Sequence, residues 1–219
     1  NMFFEGYGAG KIVELAKAQG FVVAAPLVGF GGLSGDAFDA LVTELVYDYA
    51  IDPERVYVVG HSMGGMLAAR FATQFPDAVE KVVIYNPIGL TDGRFERPMT
   101  PISDGYTSTL KTDYQSTRSG LSRYVAHDPK AWNQEFETYT RIRYSWTLSA
   151  DWPRLAMVQA LIGQMLYADP VVYDWAHIKV PTLAFGGAED MLLGPAKNFQ
   201  DRMAFLAKEV PNGNGRLHL

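Results

Sequence analysis

Residues 55–65 read RVYVVGHSMGG: a Val-rich run, then Gly60, His61, Ser62, Met63, Gly64 and Gly65, and from Met66 to about Phe75 a stretch with helical spacing. A short apolar run closed by glycine reads as a buried strand, and the stretch ended by Pro76-Asp77 reads as a helix. A serine flanked by glycines two residues away on either side, set between strand and helix, has a mechanical meaning. The chain reverses so sharply there that the serine backbone is strained and bulky neighbours would clash. Gly60 and Gly64 meet that need, and Gly65 lets the helix approach the sheet. Ser62 then projects from the C-terminal edge of the sheet, where ligands bind in open α/β folds. A phosphate loop would need Gly-Lys-Ser/Thr, and this turn has no lysine.

The elements on either side agree with that reading. Residues 10–19 have apolar positions at near-helical spacing and stop at Gly20. Residues 21–26 (FVVAAP) read as a buried strand, 29–35 as a Gly-rich loop, 36–50 as a helix and 79–85 (VEKVVIY) as a further strand. Alternation of this kind implies a parallel sheet wound by helices. It ceases over 89–177, which hold all four Trp, many Tyr, helical stretches at 131–148 and 154–167, and loop-like breaks at 92–105 and near Pro129, Pro153 and Pro170. Strand character returns at 182–186, followed by a helix over 195–209 and a strand from 216. The expected organisation is a core over 1–88, a helical insertion over 89–177, and the rest of the core over 178–219.

Composition narrows the function classes. The chain has 219 residues, 48% hydrophobic and 20% charged, with net charge −5. That suits a globular core and disfavours both a disordered acidic chain and a basic nucleic-acid binder. With no cysteine, thiolate zinc sites and a cysteine nucleophile are excluded. The same absence suits a reducing compartment, so the expected location is the cytoplasm. No uninterrupted apolar run has the length of a membrane span, so no membrane partner is expected. No residue cluster implies a metal or organic cofactor, and the expected partner is a small-molecule substrate.

The stretch GHSMGGMLAARFATQFPDAVEKVVIYNPIG resembles the elbow, helix and following strand of capped α/β-hydrolases. LAKAQGFVVAAPLVGFGGLSG is similar to their preceding helix, strand and loop, and VPTLAFGGAEDMLLGP to their penultimate strand and acid turn. The resemblance implies an α/β-hydrolase fold with an inserted helical cap. It also implies a serine hydrolase that cleaves carboxylic esters or a related acyl bond. Carbon–carbon bond hydrolysis of ring-cleavage products uses the same residues. A hydrolase-fold binding protein with little turnover is the reading from another class. Relatives that cleave carbon–halogen bonds or epoxides place Asp where this chain has Ser62. Leu27 is a departure, since capped hydrolases usually carry Asp after the Ala-Pro at that strand end.

A hydroxyl needs a base, usually His, and the base needs an orienting carboxylate. The family order is nucleophile, acid, His. The resemblance puts the acid at Asp190, with Glu189 its nearest competitor, and one oxyanion donor at the N–H of Met63. Of the four histidines, His61 lies inside the elbow, His127 in the insertion and His177 ahead of a strand. His218 follows the acid in the required order but reads as part of the last strand, so the base is expected beyond Leu219. The second oxyanion donor is expected near Asn1–Phe4, and both chain ends read as incomplete. Apolar walls over 89–177 would suit an uncharged or aromatic acyl substrate.

Overall fold

The computed structural model describes residues 11–24, 35–54, 57, 60–126 and 128–219. The chain forms two compact units, residues 1–58 and 59–219. In the first unit, α1 (Lys11–Gln19) and α2 (Gly35–Tyr49) fall where the apolar spacing predicts helices. Gly20 ends α1 in the left-handed region, with φ 72°. The expected strand at 21–26 does not form over its described part. Residues 21–24 carry no strand, and Phe21 and Val22 are 47% and 45% exposed. The burial that makes a continuous apolar run into a parallel strand is missing there. Ala25, Pro26, Leu27 and most of 29–35 lie outside the described residues, as do Arg55, Val56, Val58 and Val59.

The second unit is built on a parallel sheet. Among the described residues its strands are β1 (His61–Ser62), β2 (Val82–Pro87), β3 (Thr182–Phe185) and β4 (Gly215–His218), in that spatial order. The ladders are all parallel. The helix α3 (Met63–Gln74) joins β1 to β2. Four helices follow: α4 (Ile102–Leu110), α5 (Tyr114–Ser122), α6 (Gln134–Thr147) and α7 (Trp152–Ala168). After β3, α8 (Ala196–Glu209) leads back to β4.

The side-chain period explains which face is covered. Val82 and Ile84 on β2 and Thr182 and Ala184 on β3 are buried, while Val83 is half exposed. Met66, Ala69 and Ala72 recur every third residue on α3. Phe199, Met203 and Leu206 form the matching stripe on α8, and both stripes close on the same cluster as Ile84 and Ala184. Leu90, Val171, Trp175 and Ile178 belong to that cluster too. The segment between β2 and β3 is therefore rooted in the core at both ends.

Polar contacts fasten the same roots. Arg70 on α3 donates to Asp174 at 2.7 Å and also pairs with Asp169. The Tyr173 hydroxyl donates to Asp92 at 2.6 Å, joining the first connection to the last. Arg94 chiefly, with that hydroxyl, holds Asp92 well below the usual carboxylate range.

Residues 89–177 contain helices and short 3-10 turns and no strand among the described residues. The expected helices at 131–148 and 154–167 appear as α6 and α7, but α4 and α5 form where the sequence gives no helical signal. Their sequences, ISDGYTSTL and YQSTRSGLS, are rich in Ser, Thr and Gly, which favour turns over helices. Tertiary context and caps override that preference. α4 packs on α7 and α5 on α6, and Asp113 and Ser116 form a reciprocal capping box at the start of α5. By length and composition alone, Trp152–Tyr173 could cross a membrane, although its apolar residues are interrupted. Within the fold its Trp152, Leu155 and Ala156 pack together with Tyr106.

Phe199 is fully buried, with its ring beneath Gly186. Phe199→Ala is expected to lower the unfolding free energy by about 3–5 kcal/mol. Phe95→Ala, at an 86% exposed site, should change it by less than about 0.5 kcal/mol. Urea denaturation of both variants checks the contrast.

Candidate active site

The strand-to-helix turn has the strained geometry that its sequence implies. Ser62 has φ 60° and ψ −113°, a backbone conformation that L-residues adopt only when the surroundings impose it. Close packing imposes it here. A Cβ on Gly60 would lie 2.5 Å from the carbonyl carbon of Gly64, and one on Gly65 would lie 2.7 Å from the carbonyl oxygen of Tyr85. A Cβ on Gly64, by contrast, would meet nothing within 4 Å. The sequence reading that required a small residue at Gly64 is corrected: the tight positions are Gly60 and Gly65. The Ser62 carbonyl accepts from Ile88 N at 3.2 Å, which ties the turn to the end of β2.

Ser62 immediately precedes α3, whose first residue is Met63. The N–H groups of a first helical turn have no partners within the helix and carry the positive end of its dipole. Met63 N–H is thus a donor without a helical partner, next to the serine. The stretch expected to hold a second donor, residues 1–4, lies outside the described residues.

Asp190 reaches the same cavity from the turn after β3. Its carboxylate accepts from Leu192 N at 2.7 Å and from the Asn86 side-chain amide. The Asn86 side-chain oxygen accepts from Gly187 N at 3.0 Å, so one side chain clamps both the acid and the loop that carries it. Asn86 itself sits at the end of β2 with φ 39°. Sequence reading missed this residue. Its one signal was an Asn at a strand end ahead of Pro87, a type that tolerates left-handed backbone. Glu189, the competing acid, is exposed at the same cavity.

The structure does not bring His218 to this pair. It is a ladder residue of β4, in register with Phe185, and its ring stacks on Phe185 at 5.4 Å. The row continues from Phe185 to Tyr85 at 5.0 Å and from Tyr85 to His61 at 5.1 Å. Three strand spacings of about 4.8 Å separate β4 from β1, which puts His218 roughly 14 Å from the elbow. His61 packs on Tyr85 and also lines the cavity. His177 is exposed at the end of a 3-10 turn, and His127 lies outside the described residues. Among the described residues no histidine hydrogen-bonds Ser62 or Asp190.

The cavity has a volume of about 430 Å³ and lies between the sheet edge and α5, α6 and α7. Its floor includes Ser62, Asn86 and Asp190. Its roof is mixed rather than apolar, which departs from the expectation. Of the four Trp, only Trp146 and Trp152 line it. Trp175 is buried in the core, and Trp132 donates to Glu137 at 3.2 Å. The rest of the roof includes Thr112, Thr117, Arg123 and Arg143. No group of three or more His, Cys, Asp or Glu able to hold a metal occurs among the described residues.

The alpha/beta hydrolase family model matches residues 5–215. The chain belongs to the alpha/beta hydrolase family. It is 28% identical to the crystal structure of a probable hydrolytic enzyme from Pseudomonas aeruginosa, with a TM-score of 0.63 over 90% of this chain and 63% of that one. An uncharacterized protein of Mycobacterium tuberculosis is 38% identical over 85 residues, which are 36% of this chain and 25% of that protein. The 2-hydroxy-6-oxo-6-phenylhexa-2,4-dienoate hydrolase of Comamonas testosteroni is 30% identical over 77 residues, 35% of this chain and 27% of that enzyme. The matched stretches thus span about a quarter of the length of these curated relatives.

The glycine geometry gives a sharp contrast. Gly64→Ala is expected to retain the fold and gain about 0.5–1 kcal/mol from helix propensity. Gly60→Ala and Gly65→Ala should each displace the turn. Thermal denaturation and the near-ultraviolet circular dichroism of the three variants separate the positions.

Proposed function

We propose that this hydrolase acts through an acyl-serine intermediate on a carboxylic ester or a related acyl bond, with Ser62 as nucleophile. The observation that carries the reading is the strained Ser62, at φ 60° and ψ −113°, facing a cavity that Asp190 also lines. Strain of this kind costs on the order of 1–3 kcal/mol and persists where it serves a site. In the proposed reaction Ser62 Oγ attacks the acyl carbon and its proton passes to a histidine base oriented by Asp190. The carbonyl oxygen becomes an oxyanion facing Met63 N–H. Collapse expels the alcohol, which takes up the proton, and water then attacks the acyl-serine to release the acid and restore the hydroxyl. Asn86 holds Asp190 in place for that task. The position of His218 argues against it as the base.

Carbon–carbon bond hydrolysis is the second reading. The similarity to the Comamonas testosteroni enzyme favours it, and it uses the same serine and acid. A binding protein with the hydrolase fold is the reading outside enzymology.

Turnover of p-nitrophenyl esters by the full-length protein tests the proposal. Ser62→Ala should reduce kcat by roughly 10⁴-fold or more, and equal turnover by that variant would remove the serine mechanism. Asn86→Ala should lower kcat by about 10-fold to 100-fold, the scale of a lost hydrogen bond to a charged group, with KM little changed. A loss in KM alone would place Asn86 outside the acid's support.

A further inference from the structure

Among the described residues, the cavity roof carries Arg123 and Arg143 and no carboxylate. Helical spacing sets one face of α5 and the turn after it toward the cavity: Ser116, Thr117, Gly120, Arg123 and Tyr124. The same spacing turns Arg143, Trp146 and Thr147 of α6 to it. Most hydroxyls of this roof are already engaged within their own segments. Ser116 and Thr117 bond the backbone of Asp113, at 3.0 and 2.8 Å, and Thr147 bonds the Tyr144 carbonyl at 2.7 Å.

The two arginines differ from their neighbours. Arg118, five residues before Arg123, pairs with Glu137 and covers the Trp132 ring at 4.3 Å. Neither Arg123 nor Arg143 has a carboxylate within ion-pair distance among the described residues. Two guanidinium groups therefore share one cavity wall, while the carboxylates of Glu189 and Asp190 lie on the floor beside Ser62.

We infer that Arg123 and Arg143 form the subsite for a carboxylate carried by the substrate, at the end remote from the bond that Ser62 attacks. This rests on the serine-hydrolase reading of the same cavity. The planar guanidinium fork matches a carboxylate in two parallel hydrogen bonds, and a second arginine adds charge without competing for the same oxygens. Polarity fixes the orientation. The floor acids repel the anionic end, so it seats against the roof and the neutral acyl group is left over Ser62. Trp146 and Trp152 supply apolar surface for the chain between the two ends. The substrate class is a half-ester or acyl compound of a short dicarboxylic acid rather than a neutral aromatic ester.

The test compares mono-p-nitrophenyl glutarate with p-nitrophenyl pentanoate, which share the scissile bond and differ in the terminal carboxylate. The full-length protein should favour the glutarate ester in kcat/KM. The Arg123→Gln, Arg143→Gln double variant should reduce that preference roughly tenfold or more, and Arg→Lys replacements should restore part of it. An unchanged ratio in the double variant overturns the inference. Calorimetric binding of monoethyl glutarate and ethyl pentanoate to Ser62→Ala protein separates this subsite from the chemistry. Selective, salt-weakened binding of the glutarate that disappears in the arginine variants supports the subsite even where no ester is turned over, an outcome that would instead overturn the serine mechanism. Equal binding of the two ligands overturns the subsite whatever the turnover.

Discussion

The approach of α3 to β2 leaves no room for a side chain at Gly65, where a Cβ would meet the Tyr85 carbonyl oxygen at 2.7 Å. That approach fixes the geometry of the elbow. With the helix held so close, the link from β1 to α3 has no slack, and Ser62 takes up the reversal with positive φ. The helix start then falls directly after the serine, so N–H groups without helical partners lie next to it. The small residues Ala69 and Ala72 on the buried stripe extend the same close approach along the helix. Van der Waals packing between one helix and one strand thus holds a local backbone cost in place.

Asp190 is positioned by a different kind of contact. β2 and β3 are neighbours in register, with Tyr85 opposite Phe185, so the residues after each of these emerge side by side at one sheet edge. Asn86 follows Tyr85 and spans that gap, with its amide on Asp190 and its carbonyl on Gly187 N. An asparagine suits this place because it offers a donor and an acceptor from one rigid group. A carboxylate there would place two like charges together, and an apolar residue would leave the loop N–H without its partner. Phe199 beneath Gly186 supports the same turn from the core side.

These two devices show how far the sequence could be read. The strained turn at Ser62 was legible because its constraint is local: strand, small residues, serine and helix are contiguous, and steric exclusion can be inferred from type and spacing. The small residue read at Gly64 is not demanded by any contact, since a Cβ there meets nothing within 4 Å, whereas Gly65, read as the place where the helix nears the sheet, is tight. The turn that carries Asp190 was picked out by the resemblance, but Asn86 was not, since its partners lie about a hundred residues away and become neighbours only through strand order. The α4 and α5 segments were illegible for a related reason. Their Ser, Thr and Gly content favours turns, and the helices exist because α7 and α6 cover them.

The roof over the site depends on the same distinction between type and partner. Aromatic content suggested an apolar lid, yet a tryptophan count cannot tell which rings face the cavity. Trp175 is enclosed by the core and Trp132 by Glu137 and Arg118. Pairing decides the arginines in the same way. Glu137 accepts from the Tyr114 hydroxyl, Trp132 and Arg118, and that hydroxyl first among them holds it below its ordinary carboxylate range. Glu137 is therefore already committed on the side of Arg118. Among the described residues, the charges toward the cavity are those of Arg123 and Arg143 above and of Glu189 and Asp190 below. A neutral ligand would leave that separation unused, whereas a ligand with its charge at one end and its acyl carbon at the other would satisfy both surfaces at once.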